Sequence, residues 1–170
     1  MQHCHTINNT ASCRWPFSIL FHGSLNATKR YQEFLHHYPK SEILGEKKPD
    51  CVPWTFIPEL SENASEYAFK TEAFCGILAE VPLSCSYPEN AGEFLQKATT
   101  FCNEKIWGTL SCAIFIDPNT QKKYRLELEN SIKSLCYGTI AINCWPALSF
   151  ALGSTIWGAY LGHRLQDIQS

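Results

Sequence analysis

Between Phe74 and Cys144, short apolar runs alternate with amphipathic segments, and no other feature constrains the fold as much. Phe74 to Val81 reads as a strand, stopped by Pro82. Asn90 is placed to cap a helix, with Glu93 three residues on to complete a capping box. Phe94, Leu95, Ala98, Phe101 and Cys102 then form one apolar face, and Gly108 marks the stop. Leu110 to Ile116 is a continuous apolar run, the pattern of a strand covered on both faces. Asp117-Pro118-Asn119 turns the chain into a second helix over about 121–136, with Tyr124, Leu128, Ile132 and Leu135 on one side. Gly138 follows, and Thr139 to Cys144 is the last clear strand. Strand, helix, strand, helix, strand predicts an α/β fold: a parallel sheet with crossover helices, its ligands gathered at the carboxyl ends of the strands.

Upstream the signals are shorter. Residues 1–23 form an irregular segment with scattered Cys, His and Asn. Ser24 is a candidate cap for a helix over 25–38, where Tyr31, Phe34, Leu35 and Tyr38 recur at helical spacing until Pro39. Residues 40–53 read as a polar loop, Trp54 to Ile57 as a short strand closed by Pro58, and 59–71 as a polar stretch with room for a helical turn. With 45% hydrophobic and 18% charged residues, the chain has enough apolar side chains for a core of its own.

Charge and cysteine usage narrow the function classes. A net charge of −2 gives no electrostatic case for nucleic acid, and Lys47-Lys48 and Lys122-Lys123 are isolated pairs. No apolar run reaches the ~18 residues needed to span a bilayer. The first residues, Met1 to His5, lack the apolar core of a signal peptide. The nine cysteines are an odd number without a Cys-x-x-Cys pair, and Cys75, Cys112, Cys136 and Cys144 sit inside apolar runs. Buried thiols in a reducing, cytoplasmic setting are the expectation; a small secreted disulfide protein is the alternative. The sequons at Asn8, Asn26 and Asn63 then read as chance matches. His3-Cys4-His5 lacks further ligands at metal-site spacing, and the adjacent His36 and His37 fall on different helix faces, so no metal site is expected.

Glu72-Ala73-Phe74-Cys75-Gly76-Ile77-Leu78 resembles the Glu-x-Phe-Gly-Pro-Val segment of the aldehyde dehydrogenases, except that Cys75-Gly76 stands where the family has Gly-Pro. Trp107-Gly108-Thr109-Leu110-Ser111 resembles the family's Tyr-Gly-Leu-Ala/Ser turn, and Gly138 to Asn143 its Gly-x-Val-x-Val-Asn strand. Trp157 to Gly162 stands in the place of its Pro-Phe-Gly-Gly segment. Pro53–Pro58 and Trp157–His163 are similar to stretches of a poorly described bacterial-type branch. The resemblance runs over residues 24–170 and implies a partial catalytic domain, its last part, without the Rossmann domain.

The family reaction is the NAD(P)-dependent oxidation of an aldehyde to an acid through a cysteine thioester. By motif, Glu72 takes the place of the glutamate that holds the nicotinamide ribose hydroxyls, and Phe74 that of the ring lying against the nicotinamide. A carboxylate suits the first role because it can accept two hydroxyls at once. Asn143, Trp145 and Trp157 become substrate-tunnel candidates. No catalytic residue is assigned. Cys4, Cys13 and Cys51 are the upstream cysteines, and His3-Cys4-His5 and Ser12-Cys13-Arg14 do not match the family's nucleophile segment, although Arg14 or a protonated histidine would lower a thiol's pKa. No Gly-x-Gly-x-x-Gly pattern occurs. The resemblance thus implies a chain that is inactive alone and does not hold NAD or NADP by itself, with a Rossmann-domain polypeptide or a homo-oligomer as partner. The competing expectation is a non-catalytic α/β interaction or assembly protein, or a gene remnant.

Overall fold

The computed structural model describes residues 25–46, 51–86, 90–154 and 158–161. The irregular 1–23 segment, the Ser24 cap and Trp157 lie outside the described residues. Two units partition the chain, Met1–Pro82 and Leu83–Ser170.

In the first unit, α1 (Leu25–His37) forms where the helical spacing predicts it. It buries Tyr31 and Phe34 and ends in a turn, with the Tyr38 N–H donating to Phe34 O at 2.9 Å. β1 (Glu42–Leu44) then runs where the sequence predicts loop. Three residues with polar flanks show no periodicity of their own; they become a strand because β2 (Trp54–Ile57) offers an antiparallel backbone, pairing Glu42 with Phe56, Ile43 with Thr55 and Leu44 with Trp54. After α2 (Tyr67–Lys70), β3 (Ile77–Ala79) returns parallel to β2.

Tyr31, Phe34, Thr55, Ile57, Ala68 and Phe69 make the core of this unit. Burial of each large apolar side chain among them contributes roughly 1.5–3 kcal/mol. The buried hydroxyls of Tyr31 and Thr55 satisfy each other at 2.7 Å, tying α1 to β2. Phe34 packs edge-on against Tyr67 of α2, with ring centres 5.0 Å apart. The Tyr38 hydroxyl accepts the Ala68 N–H at 2.9 Å and donates to Glu66 Oε2 at 3.2 Å. Burial, with the Glu66 carboxylate as a further cause, pushes that phenol above its usual range.

In the second unit, Asn90 caps α3 (Ala91–Glu104) by accepting the Glu93 N–H at 3.0 Å. Only half of the expected capping box forms: the Glu93 carboxylate accepts from the Ser86 N–H at 3.2 Å, and the Asn90 N–H goes to Ser86 O. α3 ends before Ile106, and Gly108 (φ 112°) turns the chain into β4 (Ser111–Ile114). The helix expected over 121–136 is two. Asp117 caps α4 (Pro118–Lys123), the chain breaks at Tyr124 (φ −111°, ψ 38°), and α5 (Arg125–Ser134) follows. α3 and α5 approach closely because Gly92 has no side chain: a Cβ there would come within 3.1 Å of Glu127 Cγ and Tyr124 Cδ1. Leu95, Phe101, Leu128 and Leu135 are buried in this unit. β5 (Thr139–Ile142) pairs with β4 in parallel, Ala113 opposite Ala141. A Cβ on Gly138 would collide with Gly158 O, so glycine admits residues 158–161, whose Tyr160 N–H donates to Thr109 O at 3.1 Å.

The α/β class with helix-connected parallel strands holds. Its strand partners differ from expectation. Rather than one sheet of strands near 74–81, 110–116 and 139–144, there are two sheets among the described residues, ordered β1-β2-β3 and β4-β5. The apolar run from Leu110 to Ile116 is not covered along its length either: within β4 Ala113 is buried and its neighbours are half-buried, while the flanking Leu110 and Phe115 are exposed. Cys144, expected in the interior, is also exposed.

Candidate functional site

The segment from Thr71 to Gly76 joins α2 to β3. The strand expected from Phe74 begins instead at Ile77, because Phe74 adopts a left-handed backbone (φ 47°) that no strand accommodates. Strand pairing starts with the Gly76 carbonyl, which accepts the Thr55 N–H at 2.7 Å. Gly76 is itself packed under Trp54: a Cβ there would lie 3.1 Å from Trp54 Cε3. Glu72 and Phe74 therefore stand at the amino end of β3, not at the carboxyl rim where ligands of a parallel sheet were expected.

Glu72 is half-buried, and its carboxylate makes no hydrogen bond or ion pair among the described residues. The Phe74 ring is 63% exposed. The Arg30 guanidinium lies over it, 5.1 Å from the ring centre, a cation–π contact worth roughly 0.5–1 kcal/mol at an exposed site. Burial pushes the Cys75 thiol up, and the Arg30 charge offsets that only in part, so Cys75 is held as a thiol. This loop therefore presents a carboxylate that can accept hydroxyls, an exposed ring that can stack, and a cation beside it; it presents no thiolate. Sequence reading missed Arg30, since nothing in the spacing links residue 30 to residue 74.

In the second unit, Asn143 ends β5 in a left-handed conformation (φ 53°). Its amide clamps the end of β4: Oδ1 accepts the Ile116 N–H and Nδ2 donates to Ile116 O, both at 2.8 Å. Trp145 is 53% exposed just beyond. Asn143 and Trp145 thus share the carboxyl end of β5, with the Asn143 amide committed to backbone. The Asp117 carboxylate at the end of β4 is held below its usual range by the Thr120 hydroxyl and N–H and by the Asn119 N–H.

No protein-family model and no curated protein sequence matches the chain. Among solved structures, an NADP-dependent glyceraldehyde-3-phosphate dehydrogenase from Bacillus halodurans C-125, complexed with NADP, matches over 70% of this chain, with a TM-score of 0.51 and 15% sequence identity. Over that span this chain shares the fold of part of that protein. An oxidoreductase from Marinobacter aquaeolei matches over 69% of the chain, with a TM-score of 0.49 and 10% identity. The chain spans 22% of the length of each. Among the described residues no helix is long and apolar enough to cross a membrane.

Proposed function

We propose that this chain carries the nicotinamide-facing part of an aldehyde dehydrogenase-type catalytic domain, with Glu72 accepting ribose hydroxyls and Phe74 lying against the nicotinamide of NAD or NADP. The observation that carries this reading is the Glu72–Phe74 loop: a carboxylate with open acceptor capacity beside an exposed ring held in a strained backbone, in a dehydrogenase-like fold. These residues fit the nicotinamide–ribose end of the cofactor. The pyrophosphate end has no matching glycine pattern in the sequence. When bound, the cofactor supplies the hydride acceptor for aldehyde oxidation. This chain's contribution is to orient it: the carboxylate fixes the ribose, and the ring keeps water off one face of the nicotinamide.

The thiolate nucleophile and the pyrophosphate cradle are proposed to come from a Rossmann-domain polypeptide, with the assembled enzyme in the cytoplasm. The isolated chain is then expected to yield no NADH or NADPH from a panel of aldehydes, and measurable turnover would overturn that expectation. The binding role is tested with nicotinamide mononucleotide at millimolar concentration, followed by NMR. Amide shifts confined to residues 71–76, abolished by Glu72→Gln and by Phe74→Ala, are expected. Shifts elsewhere, or shifts unchanged in both variants, would refute the assignment. A second reading, a non-catalytic α/β assembly protein, draws on the exposed Trp145, Leu148, Phe150 and Leu152 of the second unit.

A further inference from the structure

Thr55 holds two segments of the first unit at once. Its hydroxyl shares a 2.7 Å hydrogen bond with the Tyr31 hydroxyl of α1, and its N–H donates at 2.7 Å to Gly76 O, where the 71–76 loop enters β3. Both tied side chains lie in the core, Thr55 1% and Tyr31 2% exposed. Arg30 precedes Tyr31 on α1, and Phe74 lies two residues before Gly76. The guanidinium and the ring thus meet from two anchored segments, with 5.1 Å between the charge and the ring centre. Arg30 takes one face of the ring, which is nonetheless 63% exposed. The guanidinium is half-buried and forms no ion pair with a carboxylate among the described residues.

On the assignment of Phe74 to the nicotinamide, we infer that Arg30 makes this site discriminate between the redox states of the cofactor, disfavouring the oxidised nicotinamide, whose ring is a cation, relative to the reduced ring, which is neutral. With Arg30 on one face of Phe74, the nicotinamide stacks on the other, and the two charges stand roughly 10 Å apart across the ring. Like charges repel over that distance, most at low salt. The guanidinium also draws on the same π density that a second cation would use, so the oxidised ring gains less from stacking on the free face. Both effects act on the charged form alone, and reduction removes them together. Arg30 is therefore a positioning residue: it touches Phe74 and acts on the cofactor through that ring. Glu72 pulls the other way, as an anion beside the ribose, so the measured preference is a net value. Its change on substituting Arg30 isolates the guanidinium.

NMR titrations of the full chain with oxidised and with reduced nicotinamide mononucleotide, at low ionic strength, test this. The two ligands share ribose and phosphate and differ in the charge of the ring. Both should shift amides of residues 71–76. Arg30→Gln should tighten binding of the oxidised form roughly two- to threefold and leave the reduced form unchanged. Arg30→Lys keeps a cation that can sit over a ring, and should keep the wild-type ratio of the two dissociation constants. The effect of Arg30→Gln should vanish in about 1 M salt, where the screening length is about 3 Å. A ratio unchanged by Arg30→Gln, equal tightening of both forms, a ratio altered as much by Arg30→Lys, or an effect that persists in salt would each overturn the role of Arg30 and leave the Glu72–Phe74 assignment standing. No shift at residues 71–76 with either form would overturn both.

Discussion

Phe74 shows what a single residue can carry. A non-glycine residue in the left-handed region costs roughly 1–2 kcal/mol, and Phe74 meets that cost with its ring exposed and its contact with Arg30 weak. Phe74→Gly relieves the strain, whereas Phe74→Ala loses the ring and keeps it. In urea denaturation Phe74→Gly is expected to be more stable than Phe74→Ala by about 1 kcal/mol, even though glycine loses more backbone entropy. Equal stabilities, or a more stable alanine variant, would mean that the backbone there is relaxed. The motif Glu72–Phe74 was legible in the sequence. Its conformation was not: Phe74 leads into the Cys75–Gly76 bend, where Gly76 packs under Trp54, a residue of a different strand.

The element that best shows the limits of periodicity is the stretch from Asp117 to Ser134. An apolar face spaced at 124, 128, 132 and 135 predicts one helix, yet the chain forms α4 and α5 with a break at Tyr124. The earlier start comes from Asp117, which accepts the Asn119 and Thr120 N–H groups at 3.0 and 3.1 Å, and from Pro118, which has no N–H to leave unsatisfied. The Asp117 carboxyl is lowered in the folded chain, first by the Thr120 hydroxyl. Its contribution is therefore fully present above the unfolded value of 3.8 and is lost as pH falls through the lower folded value. Amide exchange at Asn119 and Thr120, measured against global unfolding, should show this acid-induced fraying. Asp117→Asn, which keeps an acceptor without the charge, should remove the pH dependence; a wild-type profile flat to pH 2 would contradict it. β1 failed for a different reason: a strand of three residues has no period to detect, and its pairing is supplied by β2.

At the scale of the molecule, no disulfide joins the seven described cysteines, six of which are half-buried. Thiol titration after denaturation without reductant should return at least seven groups per chain, and fewer would point to disulfides and an oxidising compartment. The alternation of apolar runs and amphipathic helices determined the α/β class and the helix-connected parallel pairs, because burial of an apolar face depends on side-chain period, and period is written in the sequence. The candidates Glu72, Phe74 and Asn143 rest on residue type and order alone. Tertiary structure alone decided that β3 joins the sheet of β2 and not that of β4 and β5, that Arg30 covers Phe74, and that the Asn143 amide holds Ile116. Each of these joins residues more than twenty positions apart, and backbone hydrogen bonds and side-chain contacts at that separation depend on how the chain folds back, which no local pattern encodes.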